Sequence, residues 1–206
     1  MRVASQPMSA AQSEHTGLVH EALLYRDVQD FATGVASFLR DGLTLAERAL
    51  VAVPGPHLDV LRSALGADAE QVQFVDMAEA GRNPGRIIPT VLDAFTRKYP
   101  TGQVRIVGEP IWPGRSATEY RAALQHEALI NIALADRQAT ILCPYDRQGL
   151  DATALADARR THPILVENRV REVSTGYTDP RAVADASLAS LADPSSECRL
   201  RQYRRS

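Results

Sequence analysis

The sequence predicts an α/β fold with a mostly parallel central sheet and helices on both faces. Continuous apolar runs of four to six residues alternate with longer segments whose apolar residues recur at helical spacing. Such runs are typical of strands buried on both faces, as in parallel sheets. The connections between the elements are short, so we expect five or six strands in one sheet.

The apolar runs predict the positions of the strands. In chain order, the predicted strands are His20–Tyr25, Ala49–Val53, Val72–Val75, Val104–Val107, Ala139–Cys143 and Ile164–Val166, with one edge strand within Asn168–Tyr177.

Helical spacing and capping residues predict the helices between these strands. Asp30 is the expected cap of a helix over Phe31–Leu39, and Ser116 with Glu119 forms a capping box at the start of a long helix ending near Ala135. The other predicted helices contain Leu58–Leu65, Ile87–Phe95, Asp151–Arg160 and Pro180–Leu191.

Composition limits the classes of protein to which the chain can belong. Its 206 residues suit one domain, predicted over 17–192, with a disordered leader at 1–16 and an arginine-rich tail at 193–206. A net charge of −2 and apolar runs much shorter than a membrane span argue against nucleic-acid and membrane partners. The polar N-terminus has no signal-peptide core, and the two cysteines do not form a disulfide framework, so we expect a cytoplasmic protein.

The long helix carries a carboxylate on its inward face. Successive residues of a helix differ by about 100°, which places Glu127 in the middle of an apolar face, with Asn131 beside it. Arg121 points nearly the opposite way, and His126 falls at the boundary of the two faces. Because an unpaired buried carboxylate is costly, Glu127 needs a hydrogen-bond partner, water or a ligand.

Polar and aromatic residues follow the ends of two predicted strands. Glu109, Trp112 and Arg115 come after one strand, and Tyr145 and Asp146 come after another. Ligands of open parallel sheets bind at the carboxyl ends of the strands, so these residues, with Glu127 and Asn131, are expected to line one pocket. The alternative is structural: an ion pair of Arg115 with Glu109 or Glu127, and Trp112 covering the core.

Several chemistries lack their usual motifs. The turn Pro54–His57 has one glycine, two prolines and no lysine, so it does not suit a phosphate-binding loop, and we predict no ATP binding. The histidines and Cys143 are scattered without the local spacing of zinc motifs, so we predict no metal site. Cys143 in an apolar strand is interpreted as core, and no GxSxG motif is present.

Several motifs in order resemble the MEDS family of sensory domains. They are HEALLY, GEPIWPGR, HEALIN, ILCPYD and THP, and the resemblance covers roughly His20–Asn168. VPGPHLDVLRSALG and DMAEAGRNPGRIIP resemble the actinobacterial subgroup that precedes a GHKL-type ATPase domain in anti-sigma-factor regulators. The resemblance implies a RecA-like core without a functional P-loop. It also implies these positions of interest: His20, Tyr25, Glu109, Trp112, Glu127, Asn131, Cys143, Tyr145, Asp146, His162 and Pro163.

We therefore predict a non-enzymatic sensory domain in signal transduction or transcription control of the anti-sigma type. Its expected partner is a small organic ligand or a GHKL-type ATPase or sigma-factor regulatory protein. No cofactor is expected, and a homodimer is left open. The ligand-binding residues predicted from the pocket and the resemblance are His20, Tyr25, Glu109, Trp112, Arg115, Glu127, Asn131, Tyr145, Asp146 and His162.

Two other functions stay open from the sequence. One is a hydrolase-like enzyme with Glu127 or Glu109 as general base, and the other is a pure protein-interaction module. No ATPase domain is recognisable after Leu191, so the chain is either stand-alone or part of a longer regulator.

Overall fold

A computed structural model describes residues 17–191, and for the last two of these it describes only the backbone. These residues form a sheet of seven strands in the order β3-β2-β4-β5-β1-β6-β7, in which only β7 is antiparallel to its neighbour. The predicted α/β class and mostly parallel sheet are confirmed. The strands are β1 Leu18–Tyr25, β2 Arg48–Val53, β3 Val72–Asp76, β4 Val104–Gly108, β5 Ala139–Asp146, β6 Ile164–Glu167 and β7 Val170–Val173.

Helices connect the strands and cover both faces of the sheet. A short 3₁₀ segment, Gly66–Gln71, follows α2, and a π-helical turn, Ile88–Leu92, joins α4 to α5. The helices are α1 Val28–Thr44, α2 Gly55–Leu65, α3 Met77–Ala80, α4 Pro84–Ile87, α5 Asp93–Lys98, α6 Ala117–Ala133, α7 Ala152–Thr161 and α8 Pro180–Leu191.

The structure corrects three expectations about these elements. The described sheet has seven strands, not five or six, because β6 and β7 form a hairpin at its edge. Helix α1 begins at Val28 and is capped by Asp27, whose carboxylate accepts from the backbone N–H of Asp30. Strand β5 continues three residues past Cys143 and ends at Asp146. The predicted capping box of Ser116 and Glu119 is confirmed at the start of α6.

The two faces of the sheet have separate apolar cores. Residues of α1 and α2, such as Phe31 and Leu61, pack on one face, while residues of α4 to α7, such as Ile87 and Ala158, pack on the other. Strand β1 is therefore followed by a helix on one face, and its neighbour β5 by a helix on the other. The same holds for β2 and β4. Ligands of open α/β sheets bind outside strand ends where neighbouring connections diverge in this way.

Helix α8 packs against one flank of α6. Val183 and Ala184 of α8 pack against Leu124 and Ala128 of α6. The prediction that His126 lies at a boundary is wrong, since His126 is buried with 4% of its surface exposed. Arg121, on the predicted outer face, is half-buried.

Two of the predicted segments are terminal. The predicted leader at 1–16 and the predicted tail at 193–206 lie outside the described residues. Within residues 17–191, no helix has both the length and the apolar character needed to cross a lipid bilayer.

Candidate functional site

Only part of the predicted polar residues gathers at the carboxyl edge of the sheet, and the predicted residues lie on two different faces. Side chains of a strand alternate between faces, so His20 and Tyr25, five positions apart on β1, point in opposite directions. Tyr25 belongs to the core on the α1 side. His20 contacts groups on the α6 and α7 side, including Asn131 and Cys143. The single pocket predicted from the sequence is therefore divided into two clusters.

The first cluster opens into a cavity at the strand ends. The cavity measures about 260 Å³ and lies outside β1, β2, β4 and β5, where neighbouring connections diverge. Its walls combine aromatic rings, prolines and two polar side chains. They are Tyr25, Pro54, Pro56, His57, Trp112, Pro113 and Asp146.

Glu109 and His57 form a close pair beside this cavity. Glu109 Oε2 lies 2.6 Å from His57 Nδ1, and the hydroxyl of Tyr25 donates to Glu109 Oε1 at 3.4 Å. Glu109 is buried, and its burial raises the pKa of that carboxyl despite the neighbouring imidazole. The hydrogen bond to Glu109 raises the pKa of His57 above its ordinary value, against the opposing effect of burial. His57 is further held by stacking on Phe31, with ring centroids 4.2 Å apart.

Arg115 stacks on Trp112 and does not pair with a carboxylate as proposed from the sequence. Its guanidinium carbon lies 3.5 Å from the centroid of the indole ring, which is a cation–π contact. Its Nε and Nη2 atoms are buried and have no hydrogen-bond partner within the described part of the chain. Among the described residues no ion pair joins Arg115 to Glu109 or Glu127, so the structural alternative considered for Arg115 is wrong.

The second cluster is a sealed quartet of His20, Glu127, Cys143 and His162. All four side chains are buried, and one donor atom from each lies within 4.8 Å of the others. Glu127 Oε2 is 2.8 Å from His162 Nε2 and 3.6 Å from His20 Nε2. His20 Nε2 is also 3.4 Å from Cys143 Sγ. The prediction that Glu127 faces inward is confirmed, whereas its expected contact with Glu109 is absent from the described contacts.

Neighbouring groups fix the orientation of both histidine rings. Asn131 Oδ1 lies 3.2 Å from His20 Nδ1, while Asn131 Nδ2 donates to the backbone carbonyl of Thr161 at 2.8 Å. His162 Nδ1 lies 2.8 Å from the carbonyl oxygen of Ala158. The hydroxyl of Tyr145 donates to Glu127 Oε2 at 3.3 Å.

Burial dominates the ionisation of the quartet. It lowers the pKa of His20 to about 4, with a further contribution from the nearby His162. It raises the pKa of the Cys143 thiol well above the ordinary value, and the charge of Glu127 acts in the same direction. Burial opposes ionisation of Glu127 as well, but the imidazoles of His162 and His20 together lower the pKa of this carboxyl.

The predicted site residues therefore divide between the two clusters. Tyr25, Trp112 and Asp146 line the strand-end cavity, with Glu109 and Arg115 directly behind its walls. The other five belong to the sealed quartet or contact it: His20, Glu127, Asn131, Tyr145 and His162.

Sequence reasoning missed His57 as a site residue and set Cys143 aside as inert core. The signal for His57 was its position just past the end of β2, in the turn considered only for phosphate binding. The quartet gives no local signal, because its four members come from β1, α6, β5 and the end of α7.

The fold and the cavity define an α/β domain with a cavity at its strand ends. The sequence profile of one family, described as MEDS: MEthanogen/methylotroph, DcmR Sensory domain, matches residues 19–163. This match covers more than half of the chain, so the protein belongs to the MEDS family of sensory domains.

Among solved structures, the chain is similar to one described as an ATPase domain, with 10% sequence identity and a TM-score of 0.46. That similarity covers 74% of this chain and 69% of the other. No curated protein matches the sequence.

Proposed function

We propose that this domain is a sensor that binds a small organic molecule in the strand-end cavity and transmits its occupancy to a regulatory partner. The observation that supports this proposal is the cavity itself, about 260 Å³ in volume and located where neighbouring connections diverge. Membership of a family of sensory domains agrees with it.

The size and lining of the cavity indicate the class of ligand. Its volume is below the ~300–1,000 Å³ usual for drug-sized ligands, so the ligand is a small molecule of few heavy atoms. The prolines and the Trp112 ring offer apolar contact, and Asp146 and His57 offer hydrogen bonds. We infer a compact organic molecule with an apolar part and at least one hydrogen-bonding group.

The positions of the two glutamates favour binding over catalysis. Glu127 is fully enclosed, so no substrate in the cavity contacts it. Both carboxylate oxygens of Glu109 are engaged, one by His57 and one by Tyr25. A general base must reach the proton that it removes. The hydrolase-like alternative, which assigned this role to Glu127 or Glu109, is therefore disfavoured.

For the regulatory partner we propose a GHKL-type ATPase or another sigma-factor regulatory protein. The motifs shared with the actinobacterial subgroup support this part of the proposal. A pure interaction module is less well supported, because the exposed valines of edge strand β7, Val170 and Val173, are three residues apart and point to opposite faces of the strand.

The first experiment identifies the ligand. The protein is purified from its own host, and native mass spectrometry is compared with mass spectrometry after denaturation. We expect an additional small mass that is released unchanged on denaturation. A product that accumulates with time would instead indicate turnover and would support the enzyme alternative.

The second experiment assigns the ligand to the cavity. Trp112 is the one tryptophan of the sequence, so its fluorescence reports on this wall directly. Titration with the released molecule should change this fluorescence with a saturable curve. Asp146→Asn should weaken binding about tenfold or more through the lost charge-assisted hydrogen bond. Asp185→Asn on the exposed surface of α8 is the matched control and should bind normally.

A further inference from the structure

The quartet on the α6 and α7 side is organised more like a metal centre than like a set of core hydrogen bonds. It joins two imidazoles, one thiol and one carboxylate, and these are the ligand types that zinc prefers. The four residues come from four separate elements, and all are inaccessible to solvent.

The ring orientations direct both Nε2 lone pairs into the quartet. Asn131 directs its amide nitrogen at the Thr161 carbonyl, so its oxygen faces His20 and the Nδ1 of His20 carries the hydrogen. The Nδ1 of His162 faces the Ala158 carbonyl, which can only accept, so it also carries a hydrogen. A histidine that ligates a metal through one nitrogen usually donates from the other to such an oxygen.

This orientation leaves buried polar atoms without a partner. Among residues 17–191, His162 Nε2 lies 2.8 Å from a carboxylate oxygen but makes no hydrogen bond, and Glu127 Oε1 has no partner there either. A lone pair and a carboxylate oxygen repel each other at this distance. Their approach therefore requires a cation, either bound between the two atoms or carried by one of them. A proton on His162 is one solution, and a metal ion shared by the quartet is the other.

The distances fit a tetrahedral ion. Zinc bonds of about 2.0–2.3 Å place neighbouring ligand atoms roughly 3.3–3.6 Å apart. Two of the contacts, 3.4 Å from His20 to Cys143 and 3.6 Å from His20 to Glu127, already have this length. The contact of 2.8 Å between His162 and Glu127 would lengthen by roughly half an ångström.

We propose that His20, Glu127, Cys143 and His162 bind one zinc ion as a closed, four-coordinate structural site. Zinc binds Cys143 as the thiolate, so the thiol proton leaves to solvent. The thiolate and the carboxylate then balance the two positive charges of the ion. The ion cross-links β1, β5, α6 and the end of α7. This inference does not depend on the ligand proposed for the strand-end cavity.

The primary test measures zinc in the intact protein. An untagged chain carrying Cys198→Ser, so that one thiol remains, is produced with zinc in the medium and analysed by native mass spectrometry and elemental analysis. We expect about one zinc ion per chain that resists chelators until the protein is unfolded, because the site is sealed. Zinc-free protein that is folded and stable would overturn the proposal.

Cobalt identifies the ligands without relying on variants. Protein unfolded with chelator and refolded with Co²⁺ should show intense visible bands of tetrahedral cobalt and a near-ultraviolet band from thiolate to cobalt. Weak bands of octahedral cobalt, or no thiolate band, would overturn the proposed ligand set even if some metal binds.

Variants separate this site from adventitious binding. Cys143→Ser should lose the thiolate band, and His162→Gln should lose stoichiometric zinc. His126→Gln is the matched control, since His126 is also a buried histidine, on α6, but lies outside the quartet. It should retain zinc, and equal retention by all three variants would overturn the assignment. If a variant fails to fold, the stoichiometry and the cobalt spectrum of the parent chain decide.

Discussion

Asn131 and His20 are joined by a hydrogen bond of 3.2 Å, although they are 111 residues apart in the chain. The amide of Asn131 is held in turn by the backbone carbonyl of Thr161, the residue that precedes His162. One side chain of α6 therefore links β1 to the end of α7. It fixes the ring of His20 without belonging to the proposed set of ligands.

Asn131→Ala should weaken zinc binding while leaving all four ligands in place. Residues that hydrogen-bond to a metal ligand and orient it commonly contribute about 10–100-fold to metal affinity. We expect Asn131→Ala to lose affinity in that range. The measurement is competition for zinc with a chelator of known affinity during refolding. Asn83→Ala, at an exposed asparagine whose side chain makes no capping bond, is the control and should match the parent chain. Equal affinities for both variants would show that Asn131 does not position His20.

The pair of His57 and Glu109 should make stability depend on pH. The hydrogen bond with Glu109 raises the pKa of His57 in the folded state above its ordinary value of 6.5. Its stabilising effect is therefore complete below that ordinary value and is lost as pH rises through the folded-state pKa. Burial also raises the pKa of Glu109 in the folded state. Ionisation of this buried carboxyl therefore lowers the stability of the fold as pH rises.

Glu109→Gln isolates this contribution, because glutamine keeps the size of the side chain but not its charge. The stability advantage of the parent chain over the variant should be larger near pH 6 than near pH 9. Urea unfolding at several pH values measures it, and a nuclear magnetic resonance titration should give a lower pKa for His57 in the variant. A constant stability difference over this range would contradict the proposed coupling.

The fold was predictable because its signals are local. Strands such as Ala49–Val53 are continuous apolar runs, and the capping box at Ser116 marks the start of α6 within a few residues. The inward direction of Glu127 followed from helical periodicity alone, and its complete burial confirms it. The strand-end placement of Trp112 and Asp146 also followed from where the apolar runs stop.

The grouping of the site residues required information that no local pattern carries. Alternation along β1 could have separated His20 from Tyr25, but it does not say which helix covers each face. The quartet depends on the register of β1 against β5, which places Ala22 opposite Cys143, and on the position of α7. The burial of His126 likewise depends on tertiary packing, which helical spacing along α6 does not show.

The strand ends should not bind ATP. The carboxylate of Asp27 already caps α1, and Asp30 lies in its first turn, so both oppose phosphate at this helix N-terminus. Helix α2 begins just after Pro54 and contains Pro56, and proline provides no backbone N–H donor. Calorimetric titration with Mg-ATP should show no saturable heat. Micromolar affinity, with phosphate located at Pro54–His57, would refute this prediction.

Glu127 should contribute strongly to stability even without metal. In protein that has been stripped of metal in denaturant and refolded, Glu127→Ala leaves the hydroxyl of Tyr145 and the ring of His162 without their buried partner. We expect a loss of about 3 kcal/mol in the free energy of unfolding. Glu127→Gln retains the shape and one acceptor oxygen, so its loss should be smaller, about 1–2 kcal/mol.

The order of these losses is the informative result, and urea unfolding measures it. Glu70→Ala, at an exposed glutamate before β3, is the matched control and should change stability by less than about 0.5 kcal/mol. If Glu127→Ala were as mild as this control, the carboxylate would not hold Tyr145 and His162 together. If Glu127→Gln were as severe as Glu127→Ala, the shape and the one remaining acceptor oxygen would contribute little, and the ionised carboxylate would be the essential feature. That result would indicate a cation opposite Glu127 in the metal-free protein.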